Sequence, residues 1–226
     1  SVDEIIGNDK DNKLEAGANA DTLYGGTGND TLVGGAVADT FRGGTGDDII
    51  YGNAESTSSV DADRDLVDFS TSATSVKVNL SSTISTILLS KEVSSTLDVQ
   101  TSVGEGTDKL YDIQDVIGTF GQDTLVGDNT VNSLRGWADN DQLIGNGGAD
   151  ILLGEGGNDT IYGGLDGDNI YGGTTTVDSG NDTVDYSYIT DSKAVNADLG
   201  RTNSQEVFQV GTPANFDHLV NIENII

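Results

Sequence analysis

The chain contains no cysteine, a single proline, and only 10 lysines and arginines against 38 aspartates and glutamates in 226 residues. Each scarcity excludes something. Without cysteine, neither disulfides nor thiolate metal sites hold the fold. A formal charge of -28 leaves no basic face for nucleic acid or an anionic membrane surface. No run approaches the roughly 18 apolar residues of a membrane-spanning helix. No signal peptide is visible, and the chain starts at Ser1 and not at methionine, which reads as an excised fragment. Low hydrophobicity with high net charge predicts disorder on its own, unless bound cations remove the charge penalty. The excess is in glycine, 31 residues, about twice the usual fraction near 7%.

The glycines are periodic. Read in steps of nine from Gly7, the chain gives GNDKDNKLE, AGANADTLY, GGTGNDTLV, GGAVADTFR and GGTGDDIIY. From Gly118 it gives GTFGQDTLV, GDNTVNSLR, GWADNDQLI, GNGGADILL, GEGGNDTIY and GGLDGDNIY. The sixth position is Asp or Asn in every unit. The eighth is always large and apolar: Leu14, Leu23, Leu32, Phe41, Ile50, then Leu125, Leu134, Leu143, Leu152, Ile161, Ile170. Such a fixed period is the mark of a repeat architecture.

Each unit divides into a turn and a short strand. Glycines at positions one, two and four permit left-handed backbone angles and a tight turn with inward carbonyls. The last three residues form a strand whose eighth-position side chain is buried. Two units close one coil of 18 residues, so units i and i+2 stack and their sixth-position carboxylates approach each other. Two such carboxylates repel when unpaired, and a hard cation with oxygen ligands, calcium above all, converts the repulsion into binding. General solubility would not fix an aspartate at every ninth residue, and a metal-free glycine-rich solenoid is the bland alternative.

A longer repeat overlies the first. "VDEIIG" (Val2–Gly7), "IQDVIG" (Ile113–Gly118) and "IENII" (Ile222–Ile226) are versions of one phrase, and "DLVDFS" (Asp65–Ser70) corresponds to "DTVDYS" (Asp182–Ser187). Alternating runs follow, Val76, Val78, Leu80 and Val195, Ala197, Leu199, each reading as a half-buried strand. The expected organisation is two tandem modules, residues 1–112 and 113–226. Their nonapeptide rolls cover about 7–52 and 118–173, and the spacers 53–112 and 174–226 supply strands that cover the exposed solenoid ends. Ser81–Val103 fits both strand and helix.

These repeats resemble the RTX family of hemolysin-type calcium-binding repeats, over nearly half the chain by the nonapeptides alone. The resemblance implies an all-β parallel β-roll loaded with several calcium ions, type I secretion, and folding on exposure to external calcium. The phrases and spacers are similar to those of large secreted bacterial adhesins and exoproteins.

The resemblance also implies ligands: carbonyls of positions two and four with the sixth-position Asp of one turn, and carbonyls of positions one and three with the Asp of the turn one coil later. In the first module Gly26, Gly28 and Asp30 join Gly43, Thr45 and Asp48; Gly17, Asn19 and Asp21 join Gly34, Ala36 and Asp39, with Val37 making that turn less regular. In the second, Thr119, Gly121 and Asp123 face Gly136, Ala138 and Asp141; Trp137, Asp139 and Asp141 face Gly154, Gly156 and Asp159; Asn146, Gly148 and Asp150 face Gly163, Leu165 and Asp168. After insertions, Asp182 pairs with Asp159 together with Gly157 and Gly172, and Asp65 pairs with Asp39. Asn12 and Asn132 replace the aspartate and put their pairs with Asp30 and Asp150 in doubt.

Other motifs carry little. No Lys follows a Gly, so there is no phosphate-binding P-loop. "DADRD" (Asp61–Asp65) begins like an EF-hand loop, but Leu66 and Ser72 stand where Gly and Glu are needed. His218, the only histidine, lies in a loop-like "FDHLV" with no nucleophile or orienting partner nearby in sequence. Trp137 reads as exposed or packed on a neighbour, with sugar stacking as the functional alternative.

The expected function is therefore a non-enzymatic, calcium-binding structural region of a large secreted or cell-surface bacterial protein, an adhesin first of all. Its partners are calcium and neighbouring domains, with the external target unidentified. The alternatives are a glycan- or receptor-binding module and the non-catalytic tail of a secreted toxin or enzyme.

Overall fold

A computed structural model describes residues 1–53, 63–80, 98–101, 107–173, 180–188, 195–197, 205–209 and 216–226. Strands are the only regular elements among these residues. In chain order they are β1 (Glu4–Ile6), β2 (Lys13–Gly17), β3 (Thr22–Thr27), β4 (Thr31–Gly35), β5 (Thr40–Thr45), β6 (Ile49–Tyr51), β7 (Leu66–Asp68), β8 (Val76–Asn79), β9 (Asp98–Thr101), β10 (Thr107–Tyr111) and β11 (Asp115–Ile117). The second half adds β12 (Thr124–Val126), β13 (Ser133–Ala138), β14 (Gln142–Asn146), β15 (Ile151–Gly156), β16 (Thr160–Gly164), β17 (Asn169–Gly173), β18 (Thr183–Val184), β19 (Val195–Ala197), β20 (Gln205–Gln209), β21 (Phe216–Val220) and β22 (Asn224–Ile225).

Successive strands within a block go to opposite sheets, so the fold is a parallel β-roll of two eleven-stranded sheets. Parallel neighbours ordinarily need a long crossover; here the crossover is the rest of one coil, a second strand and two turns. The register sets each nonapeptide on the one 18 residues later, as in Leu23↔Phe41 and Leu134↔Leu152. Side chains alternate along each strand, which sends the eighth-position residue inward. Leu23, Leu32, Phe41, Ile50, Leu125, Leu134, Leu143, Leu152, Ile161 and Ile170 are all fully buried. Burying each contributes about 1.5–3 kcal/mol. The flanking positions face outward, where the Arg42 side chain hydrogen-bonds Asp68 and lies over the Tyr24 ring.

The three phrases are coils of the same roll. Ile5 stands beside Leu23, Val116 beside Val67 and Leu134, and Ile225 beside Val184. One apolar cluster consequently runs from Leu23 through both blocks to Leu219 and Ile222, and both sheets continue across residue 112. The first sheet passes through β5, β7, β11 and β13; the second passes through β6, β10, β9, β8 and β12.

Spacer strands cover the ends of the blocks that face each other. β10 pairs parallel to β6, β8 pairs parallel to β12, and β9 joins them by antiparallel pairing. Val76 and Val78 point into the core and Lys77 out, the expected half-buried pattern. At the far end β21, β20 and β19 extend the first sheet beyond β17. Of the ambiguous stretch Ser81–Val103, only β9 falls among the described residues; Leu199, Ser179 and the first two residues of "DADRD" also lie outside them.

The segment "FDHLV" is a strand and not a loop. Its Asp217 and Leu219 face inward, while His218 pairs with Asn169 and sets its ring 6.5 Å from that of Tyr171. The cause is the repeat's own spacing, an acidic residue two before an apolar one.

Candidate metal-binding turns

The turns are built by left-handed backbone at positions two and four. Gly26 and Gly28 adopt it, and so do Gly44 and Gly46 one coil later. The shape persists without glycine: Val37, Trp137, Asp139, Asn146, Glu155 and Asp166 all have positive φ. Left-handed backbone costs a residue with a Cβ roughly 1–2 kcal/mol, so stacking on the neighbouring coils imposes the conformation. Trp137, at such a position, packs its ring 5.0 Å from Phe120 and lies beneath the Arg135 guanidinium, as its packed reading expects.

Position one is glycine in every unit but the one that begins at Ala16, and for a different reason. A Cβ on Gly25 would overlap both Asp30 Oδ2 and the Gly43 carbonyl oxygen, and one on Gly145 would overlap Asp150 Oδ2 and the Gly163 carbonyl. A carboxylate oxygen from one coil and a backbone carbonyl from the next thus converge on one point. The same convergence joins Asp39 to Gly52, Asp159 to Gly172, and Asp182 to the Asn221 carbonyl.

The sixth-position aspartates form two columns along the roll. Each presents Oδ1 to the backbone N–H of its counterpart one coil earlier. Asp30 donates to Asp48 at 2.8 Å, Asp21 to Asp39 at 2.7 Å, Asp39 to Asp65 at 2.8 Å, and Asp123 to Asp141 at 2.8 Å. Asp141 donates to Asp159, Asp159 to Asp182, and Asp150 to Asp168, at 2.8, 2.8 and 2.9 Å. Every expected aspartate pair is therefore adjacent in the structure.

Oδ2 is treated differently. In Asp21, Asp30, Asp48, Asp141, Asp150 and Asp168 it is buried and has no hydrogen-bond partner. These residues are at most 3% exposed. Burial pushes the carboxyl of Asp48 up to about 7, Asp150 to about 7, Asp141 to about 8 and Asp168 to about 9, with neighbouring aspartates adding to the shift. An uncompensated buried ion costs several kcal/mol, more than one buried leucine per repeat contributes. A hard cation removes that penalty, and calcium takes such oxygens. The residues present therefore fit calcium. Among the described residues no three His, Cys, Asp or Glu side chains gather at one point; each donor set is built from carboxylates and backbone carbonyls.

Three of the remaining expected carbonyls are already engaged between coils. Gly17 O accepts the Ala36 N–H, Asn146 O accepts the Leu165 N–H, and Thr45 O accepts the Gly28 N–H, at 2.8, 2.6 and 2.9 Å. Leu165 presents its side chain to solvent. Gly136, Ala138, Gly154 and Gly156 belong to stacked turns, with Ala138 set beside Gly156, and a Cβ on Gly157 would overlap the Asp139 carbonyl. Gly148 and Asp166 face one another across the other edge. Asn19 and Gly34 flank the Asp21–Asp39 pair, Asn19 outside the left-handed region. Val37 keeps the turn's shape and donates its N–H to Asp63 Oδ2 at 3.1 Å.

In three turns a position-two N–H closes on the sixth-position side chain. In 7–12 and 127–132, Asn12 and Asn132 accept the N–H of Asn8 and Asp128 at 2.7 and 2.8 Å. In 118–123 the Thr119 N–H takes Asp123 Oδ2 at 2.5 Å, and Gly121 lies against Ser75.

The columns are longer than the nonapeptides suggest. Asp3, Asp108, Asp217 and Glu223 continue them, through Asp3 N–H to Asp21, Asp48 N–H to Asp108, Asp168 N–H to Asp217 and Asp182 N–H to Glu223. The signal was present in "VDEI", "TDKL", "FDHL" and "IENI", an acidic residue two before an apolar one.

The family model for the RTX calcium-binding nonapeptide repeat matches four stretches, residues 2–32, 33–55, 117–152 and 144–174. Comparison with curated proteins finds no match.

Proposed function

Because this chain belongs to the RTX calcium-binding nonapeptide-repeat family, we propose that it is a calcium-dependent structural region of a larger secreted or cell-surface bacterial protein of the adhesin type. It does no chemistry of its own. It reaches the outside by type I secretion, folds on meeting calcium, and holds neighbouring domains in extension. One observation carries the reading: the Oδ2 atoms of six column aspartates are buried without a partner. Asp30, Asp48, Asp141, Asp150 and Asp168 would hold calcium with the position-one carbonyls, Gly43 and Gly163 among them, and Asp21 would do so beside Asp39. The ion supplies positive charge to a buried carboxylate array. Because an unfolded chain cannot bring turns together across a coil, binding free energy becomes folding free energy.

Circular dichroism tests this. The β signal is expected to be weak in EDTA and to develop in millimolar calcium, in keeping with extracellular calcium modules whose Kd is roughly 10⁻⁴–10⁻³ M. A fully developed β signal in EDTA contradicts the coupling of folding to calcium.

A further inference from the structure

The turn 118–123 has a sequence that fits the nonapeptide, with glycine at positions one and four and Asp123 at position six. Its structure does not follow the sequence. Neither Thr119 nor Gly121 has positive φ, in contrast to Gly26 and Gly28 of the turn at Asp30. With ordinary backbone at position two, the Thr119 N–H turns into the loop and donates to Asp123 Oδ2 at 2.5 Å, while its hydroxyl donates to Asp123 Oδ1 at 2.9 Å. Thr119 is itself 1% exposed. Its Oγ1 then accepts the Gly121 N–H at 3.0 Å, fixing the other side of the loop. A third donor, the Val76 N–H of β8, reaches Asp123 Oδ1 at 2.7 Å. Asp123 thus accepts three hydrogen bonds, whereas Asp30 and Asp141 each keep one buried oxygen without any.

We infer that the turn 118–123 takes no calcium, and that the Thr119 N–H occupies Oδ2, the oxygen which the other aspartate turns leave for the ion, while the Thr119 hydroxyl adds to Oδ1. The inference rests on the calcium reading of those other turns. The turns closed by Asn12 and Asn132 are built the same way, each with a position-two N–H on the sixth side chain and no left-handed residue at positions two and four. Asp123 differs from them in carrying charge, and its Oδ1 also accepts the Val76 N–H, the same bond from the preceding coil that Asp48 and Asp141 accept. Two consecutive turns at the start of the second block, 118–123 and 127–132, are hydrogen-bonded in this manner. The Val76–Asp123–Thr119 contacts therefore form a calcium-independent staple between the spacer strand β8 and the second block. Calcium acts further along, from Asp141 and Asp150 onward.

The experiment is a count of bound calcium by equilibrium dialysis for the full chain, Asp123→Asn and Asp30→Asn. Circular dichroism in saturating calcium checks that each is folded. The expected result is an unchanged count for Asp123→Asn and a loss of at least one ion for Asp30→Asn. A lower count in folded Asp123→Asn overturns the inference while leaving the calcium reading of the Asp30 turn intact. Unchanged counts in both variants overturn that reading, and this inference with it. Should Asp123→Asn not fold, calcium-loaded crystals of the unaltered chain decide the matter: anomalous density beside Asp30 with none beside Asp123 supports the inference, and density beside Asp123 overturns it.

Discussion

Asp48 Oδ1 accepts the backbone N–H of Asp30 at 2.8 Å across 18 residues of sequence, while the Oδ2 atoms of both are buried without a partner. One oxygen of each carboxylate fixes the register between coils. The other is left for a cation, so the same side chain specifies the fold and demands the metal.

Replacing Asp30 with Ala removes both roles at once. Calcium stoichiometry should fall by at least one ion, and the thermal midpoint in saturating calcium should fall with it. An unchanged ion count by titration would show that the Asp30 turn is not a calcium site.

The steric reading of position one is tested by Gly25→Ala. The new Cβ overlaps Asp30 Oδ2 and the Gly43 carbonyl, so the coils must separate there. Overpacking of this kind costs roughly 1–3 kcal/mol, and the loss should be visible in denaturant unfolding with calcium present. A variant as stable as the parent would show that the two oxygens do not meet at that point.

Acid should stabilise the calcium-free roll. Burial raises Asp48 to about 7, Asp141 to about 8 and Asp168 to about 9, against about 3.9 in an unfolded chain. The folded state then binds more protons than the unfolded one. The stabilising contribution is complete below pH of about 4 and is lost as pH rises through 7 to 9. In EDTA, the β signal should be stronger at pH 5 than at pH 8. With calcium the preference reverses, because protons compete for the same oxygens. Greater metal-free stability at pH 8 would contradict the burial of these carboxylates.

Tyr186 tests the end of the column. Its hydroxyl donates to Asp217 Oδ2 at 2.6 Å in a buried setting, so Tyr186→Phe strands a buried acceptor at a cost of about 1–3 kcal/mol. The calcium count should not change. Loss of an ion in this variant would place a metal at Asp217.

Much of this architecture was legible in the sequence because a period of nine with an apolar eighth residue leaves one solution. Leu23 and Leu32 had to face inward, and the 18-residue coil put Asp30 beside Asp48. The column's extension through Asp108 and Asp217 is harder to read because those residues lack the glycine turn, although they keep the spacing to Leu110 and Leu219. The state of Asp123 was not legible at all. It depends on the sign of φ at Thr119 and on a donor, Val76, that arrives from a spacer strand 47 residues away, and nonapeptide spacing encodes neither.

Calcium between the stacked turns is seen most directly by diffraction from calcium-loaded crystals, recorded where calcium scatters anomalously. The calcium reading predicts peaks between stacked turns, at the meeting of Asp30 Oδ2 with the Gly43 carbonyl and of Asp150 Oδ2 with the Gly163 carbonyl. Saturating calcium with no anomalous density at either place would contradict it.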